Sequence, residues 1–321
     1  MKKKVPVKAY DLLYQLCQLA FATDGQSAQP NCLVAANFNW SSMVKLATQH
    51  KVIPLLYKGL NLWSQKELVP SNIMAILKQY LFQIATQNLF QSKSLIQIIK
   101  LFQEEGIKVI PYKGVILSDK AYQQKGMRRS SDLDLLIQFE DFEKVKTLLL
   151  ANGFKENFVL PVKFEKNRIK YGCEYGFILQ RVGLPKISID LHWAVADKQQ
   201  QLHLSYKDFI PFINQEKWSG LEGEFLSPEG LLLSTCIHHS KEQWNRLSYL
   251  TDMAALLNRY HSILNWSLLL EVAKHKKIEN ILYLGIGMTQ NFIETPIPAI
   301  CLLYTSPSPR DRTRSRMPSS A

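Results

Sequence analysis

Apolar positions in the first hundred residues recur at three- and four-residue intervals, the spacing of a buried helix face. Tyr10, Leu12, Leu13, Leu16 and Leu19 make one stripe over residues 8–21. Residues 22–38 are small and polar and read as a loop. Trp40 to His50 and Val52 to Trp63 read as two further helices, the second with Pro54 in its first turn, where a missing N–H is harmless. Ser71 is expected to cap a long helix. Its stripe runs through Ile73, Ile76, Leu77, Tyr80, Leu81 and Ile84, then Leu89, Leu95, Ile96, Ile99 and Phe102, to Gly106 as C-terminal cap. These stripes imply packing and no cofactor.

The pattern changes at Ile107. Ile107 to Tyr112 is a short apolar run, expected as a strand and closed by Lys113-Gly114. Val115 to Tyr122 returns to helical spacing, Gly126 and Arg128-Arg129 interrupt it, and Asp132 to Ile137 reads as a second strand. Asp141 to Asn152 is expected as a helix ended by Gly153, and Phe154 to Leu160 as a strand. Residues 161–173 read as basic and irregular. Tyr175–Arg181 and Lys186–Trp193 read as a hairpin about residues 182–185. A connector with short elements around Tyr206 to Ile213 fills 194–224. Ser227-Pro228-Glu229 then opens a helix running to His239, with an N-cap Ser, a first-turn Pro and an acid beside it. Trp244–Tyr260, Ser267–His275 and Ile281–Phe292 read as further helices. The expected fold class is α+β: a mixed sheet with helices at 106–195, an N-terminal helical region at 1–105 and a C-terminal one at 196–300.

Two carboxylates stand out. In a strand, Asp132 and Asp134 share a face, while Leu133, Leu135 and Ile137 point into the opposite layer. Two such charges at roughly 6 Å and an effective dielectric of about 20 repel by on the order of 3 kcal/mol. Spacing alone leaves two readings open, a solvated strand start or a cation site, and oxygen-only ligands suit Mg²⁺.

Composition narrows the setting. The chain has 321 residues, 46% of them hydrophobic, enough for one large or two modest domains. No apolar run approaches the roughly 18 residues of a membrane span, and Lys8 and Asp11 interrupt the segment behind Lys2-Lys3-Lys4, so no secretion signal is expected. Residues 301–321 lack periodicity, are rich in Ser, Pro and Arg, and resemble a translated transposase-type sequencing adapter. They are set aside as a non-native tail, with the natural chain expected to continue past Ile300; a genuine basic tail is the other reading. Four Arg and one Asp there account for +3 of the formal +12, leaving +9 on the remainder. That surplus suits polyanions in general, whether nucleoside triphosphates, RNA or a membrane surface. Cys17, Cys32, Cys173 and Cys236 are widely spaced, expected as reduced thiols of a cytoplasmic protein with no zinc site or disulfide frame.

A strand ending in a Gly turn, a helix, a basic Ser-Ser loop and an Asp-hydrophobic-Asp strand resembles the polymerase-β-like nucleotidyltransferase superfamily. The chain is most similar to a bacterial family of uncharacterised nucleotidyltransferases through Tyr112-Lys113-Gly114, Tyr122, Arg128 and Asp132-Leu133-Asp134. Asp190-Leu191-His192-Trp193 also fits the family pattern, as do Trp40, His50, Pro54, Tyr57, His238, Trp244, Leu247 and Asp252. Tyr112 stands where the family usually has Leu, and Lys113-Gly114-Val115 where the superfamily usually has Gly-Ser.

The resemblance implies transfer of a nucleoside monophosphate from a nucleoside triphosphate, ATP among the candidates, to a small molecule or protein. Asp132 and Asp134 would hold two Mg²⁺ ions, and Asp190 would supply the third carboxylate from a neighbouring strand. Lys113, Gly114, Arg128, Ser130 and Ser131 are the candidates for contacts to the triphosphate, with Arg128 and Arg129 alternatively a solvated loop. His192 would hold phosphate or orient Asp190. His50 reads as functional or as a packed helix-end residue. Adjacent His238 and His239 point about 100° apart on a helix and do not suit joint chelation, and Asp252 is expected to cap or to pair with a base. Two alternatives remain: a non-catalytic nucleotide-binding scaffold of the same fold, or an RNA-directed transferase, for which no RNA-binding motif is present.

Overall fold

The computed structural model describes residues 8–292 apart from 23–28, 31–33, 36, 123–125, 159–161, 198–201 and 203. The Lys2–Lys4 start, Cys32 and the 301–321 tail lie outside the described residues.

Four helices lead, α1 (Ala9–Leu19), α2 (Trp40–Gln49), α3 (Ile53–Leu62) and α4 (Ser71–Glu104). The side chain of Asn39 caps α2 by accepting the Ser42 N–H at 2.9 Å. At the start of α4 the cap position belongs to Pro70, so Ser71 is the first helical residue and makes no cap bond. With 34 residues, α4 is roughly 50 Å long, and Gly106 at φ 66° terminates its end as expected.

The sheet has the order β1 (Val109–Pro111), β2 (Leu133–Ile137), β5 (Ile187–His192), β4 (Glu174–Leu179), β3 (Lys155–Glu156). Only β2 and β5 run parallel; the other neighbours are antiparallel. Helix α5 (Gly114–Ala121) links β1 to β2, and α6 (Phe142–Ala151) follows β2. Of the strand expected at 154–160, the described residues have only Lys155–Glu156, as β3, while 159–160 lie outside the described residues. The stretch read as irregular is α7 (Val162–Tyr171). It carries little apolar patterning; Lys146 holds its Glu165 at 2.5 Å and the Tyr175 ring lies 5.2 Å from the Arg168 guanidinium.

After the short α8 (Tyr206–Phe209) comes a hairpin that the sequence reading passed over as connector: β6 (Ile213–Trp218) and β7 (Leu221–Leu226). Its turn is Ser219-Gly220, both at positive φ (49° and 85°), the requirement of a two-residue hairpin turn. Helices α9 (Pro228–Lys241), α10 (Leu247–Tyr260), α11 (Trp266–His275) and α12 (Glu279–Thr289) complete the described chain. Helix α10 starts three residues later than expected because Gln243 and Trp244 take left-handed conformations (φ 57° and 52°).

Strand alternation divides the core. Leu133, Leu135, Ile137, Ile189 and Leu191 pack with Phe102, Phe142 and Phe177 on one face. Leu136, with Ile110 and Tyr112, joins a second core built from α1, α3, α9 and α10 through residues such as Leu12, Leu56, Leu232 and Leu256. Asp134, Asp190 and His192 therefore project toward that helical layer. Among the described residues no helix is long and apolar enough to cross a membrane. Cys17, Cys173 and Cys236 are buried and form no disulfide.

Candidate functional site

Parallel pairing of β2 with β5 makes Asp134 and Asp190 direct partners across the ladder, on strands about 4.8 Å apart. Asp132 sits in the bend before β2, one residue short of the expected strand, two positions from Asp134. All three carboxylates line one cavity of about 250 Å³, shared with Lys113, Arg128 and Ser131. The cavity lies where the sheet meets α9 and α10.

The three acids differ in their surroundings. Asp134 is buried; Lys113 Nζ lies 2.5 Å and His192 Nε2 3.2 Å from its Oδ1. Burial alone would raise its pKa, but the Lys113 charge and the His192 contact overcome it and hold the carboxyl well below the usual range. Asp132 and Asp190 form no ion pair with a described residue. Burial, then the charge of Asp134, raises Asp132, and the same two causes push Asp190 up to about 6. Carboxylates that face one cavity and raise one another's pKa are what a hard divalent cation neutralises.

A clamp on the loop before β2 sets Asp132. Gly114 starts α5 at φ 53°, and a Cβ there would lie 2.9 Å from the Asp132 carbonyl oxygen and 3.1 Å from Ser130 Oγ. Gly114→Ala is therefore expected to destabilise the fold by more than about 1 kcal/mol and to lower transfer, as urea unfolding and initial rates would show. Arg128 Nε donates to Asp252 Oδ2 (2.9 Å) and its Nη1 to the Gly114 carbonyl (3.0 Å), while the Tyr122 hydroxyl donates to Asp252 Oδ1 (2.8 Å). From α4, Asn88 Nδ2 donates to the Arg128 carbonyl (2.8 Å) and Asn88 Oδ1 accepts the Ser130 N–H (3.0 Å). Gln91 Nε2 donates to the Ser131 carbonyl (3.0 Å). Asn88→Ala strips two of these bonds and is expected to cost about 1–3 kcal/mol in urea unfolding.

Several expected contacts find other partners. The Lys113 ammonium, expected on phosphate, is on Asp134. Ser130 is 1% exposed with its hydroxyl 3.3 Å from the Asp132 carbonyl oxygen, so it supports the loop and does not line the cavity; Ser131 does. His192 meets Asp134, where Asp190 was expected, because it is the ladder partner of Leu136, the next position on the Asp134 face. Arg128 is bound by Asp252, the base-pairing expected of that acid, and is no solvated loop residue. His50 is a packed helix-end residue whose Nδ1 accepts the Leu247 N–H at 3.1 Å. His238 lines the cavity, while His239 stacks on Tyr249 at 4.4 Å; burial holds both well below the ordinary histidine pKa.

Sequence reasoning missed Asn88, Gln91 and Glu174. The signal was there for α4: Gln91 and Ser94 are polar residues buried on its apolar stripe. The structure also gathers Cys173, Glu174 and His192, with ligand atoms within 4.8 Å of one another. The Lys241 ammonium already stands 3.7 Å from Glu174 and 4.0 Å from the thiol, which burial pushes up to about 12.

A search of curated proteins finds no match. The family model described as "Uncharacterised nucleotidyltransferase" matches residues 36–294, a span that begins before α2 and ends after α12. The pairing of Asp134 with Asp190 across a parallel ladder and the match over most of the chain agree, and the chain belongs to this family of nucleotidyltransferases.

Proposed function

We propose that the chain transfers a nucleoside monophosphate from a nucleoside triphosphate to a hydroxyl or similar group on a small molecule or protein, releasing pyrophosphate, with Mg²⁺ bound by Asp132, Asp134 and Asp190. The observation that carries this reading is the alignment of Asp134 with Asp190 on adjacent parallel strands, with the unpaired Asp132 beside them on the same cavity. The oxygen-only donor set fits Mg²⁺. Bound there, two such ions supply charge neutralisation for the attacking and leaving oxygens.

The chain's own residues do the rest. Lys113 and His192 fix Asp134 through Oδ1, leaving Oδ2 for a cation. Asp190 takes the proton of the acceptor hydroxyl as the new O–P bond forms and the α–β phosphoanhydride breaks. The Arg128–Asp252 pair and Asn88 hold the Asp132 loop in register. In this reading residues 106–195 are the catalytic core and the flanking helical regions select the acceptor.

The test is incubation with Mg²⁺ and each α-³²P nucleoside triphosphate, with and without cell lysate. Label transfer and pyrophosphate release are expected from the wild type and absent from Asp132→Asn. Equal release by both proteins would overturn the reading.

A further inference from the structure

We propose that Lys51, Arg129 and Arg246 form the seat for the β- and γ-phosphates of the substrate, on the same cavity as the three carboxylates; this rests on the nucleotidyl-transfer reading. All three line that cavity, yet they come from three distant stretches of chain.

A joint between helices brings two of them together. His50, at the end of α2, accepts the Leu247 N–H on its Nδ1 (3.1 Å) and the Ser248 N–H on its carbonyl (3.2 Å). Those amides open α10, and their side-chain and carbonyl acceptors anchor that end to α2. Lys51 follows His50 and Arg246 precedes Leu247, so the joint sets their backbones side by side. Lys51 adopts φ 57°, the left-handed position that closes α2, with its N–H on the Thr48 carbonyl and the Val52 N–H on the Ala47 carbonyl. Arg246 is steadied by Tyr249, its guanidinium 5.9 Å from the ring and Nη1 3.4 Å from the hydroxyl. Arg129 extends from the loop whose neighbouring residue, Arg128, is locked by Asp252.

The charges on this cavity are partitioned. Lys113 is matched by Asp134, Arg128 by Asp252 and Lys241 by Glu174. Lys51, Arg129 and Arg246 form no ion pair with a described residue, and Glu242 is the further carboxylate on the lining. Burial, then the charges of Arg246 and Arg128, holds the Lys51 ammonium below its usual value, and Asp132 acts on it in the opposite sense. Three cations without an ion-pair partner, on the same lining as the carboxylates, are the complement of a polyphosphate whose α-phosphate lies at those carboxylates.

The turn at Lys113-Gly114 leaves this task open. The Lys113 ammonium is engaged by Asp134 and the Ser130 hydroxyl is buried beneath the loop. Charge on the departing pyrophosphate beyond what Mg²⁺ neutralises is therefore met from elsewhere on the lining, where the three unpaired cations are the groups available.

The test uses the full chain in chelator, with inorganic tripolyphosphate as probe and thermal unfolding as readout. Tripolyphosphate is expected to raise the wild-type melting temperature saturably, and AMP to do so far less. Lys51→Met and Arg246→Met are expected to weaken tripolyphosphate at least tenfold, while Lys217→Met, which removes the same charge from exposed β6, leaves it unchanged. Unliganded melting temperatures and circular dichroism check that the variants fold. Equal binding by all four proteins, no binding by the wild type, or AMP binding as tightly as tripolyphosphate would each overturn the proposal. The assay needs no turnover: if tripolyphosphate binds as described and no nucleotide is transferred, the anion seat stands and the catalytic reading fails.

Discussion

Asp132→Asn and Asp190→Asn are expected to abolish nucleotidyl transfer, by on the order of 10³-fold or more, while leaving the fold at least as stable. Both carboxylates are raised in pKa by burial and by the neighbouring Asp134 charge, so neutralising either removes an unfavourable interaction from the metal-free protein. Asp134→Asn should also abolish transfer, but with the opposite effect on stability. It leaves the Lys113 ammonium and the His192 ring, whose side chains are 10% and 2% exposed, without their carboxylate. Breaking a buried pair from one side typically costs about 3–5 kcal/mol.

The pH dependence separates the acids further. Asp190 titrates near 6 in the fold, above the ordinary 3.8, so its protonation favours the native state. Its contribution is fully present below about pH 4 and is lost as pH rises through about 6. In chelator, wild-type stability relative to Asp190→Asn should therefore fall over that window. Asp134, held below the usual range, contributes stability above its unfolded pKa that is lost only in strong acid. Urea midpoints in chelator from pH 4 to 8 would record the difference.

Asp252→Ala is expected to have a structural effect as large as that of Asp134→Asn, a loss of about 3–5 kcal/mol. Asp252 is 1% exposed and takes the Arg128 guanidinium on one oxygen and the Tyr122 hydroxyl on the other. Without it the Arg128 charge is left partly buried, and the arm that holds the Gly114 carbonyl loses its anchor. Transfer should fall in parallel, because Gly114 and the Asp132 loop are in contact. Arg128→Met combined with Asp252→Ala should cost less than the sum of the single changes, since each removes the other's partner. Urea unfolding of the four proteins in this cycle measures the coupling; strict additivity would show that the pair is not the link described.

What the sequence made legible follows from pattern strength. The α4 stripe, the strand around Asp134 and the Asp190 strand each carry a periodicity that burial enforces, and the structure has them there, with Asp132 one residue before its strand and Ile76 and Leu89 exposed on α4. Helix α7 was illegible because charge pairing with Lys146 and cation contact with Tyr175 replace an apolar stripe. The β6–β7 hairpin was masked by polar residues between Ile213 and Trp218, although its Ser-Gly turn was a usable signal. Within the site, residue types were readable and pairings were not. That Lys113 turns to Asp134, that His192 reaches the same acid, and that Asn88 spans from α4 to the loop all depend on strand register and helix docking. Those long-range contacts leave no local periodicity in the chain.

Asp132, Asp134 and Asp190 together are proposed to hold two divalent cations with the nucleotide. The most direct test is Mn²⁺ titration, followed by electron paramagnetic resonance, of the full chain with an α,β-methylene nucleoside triphosphate. Two bound Mn²⁺ are expected per wild-type chain, one in Asp190→Asn, and none held by the protein in Asp132→Asn combined with Asp134→Asn. Identical binding in all three folded proteins would contradict the proposal.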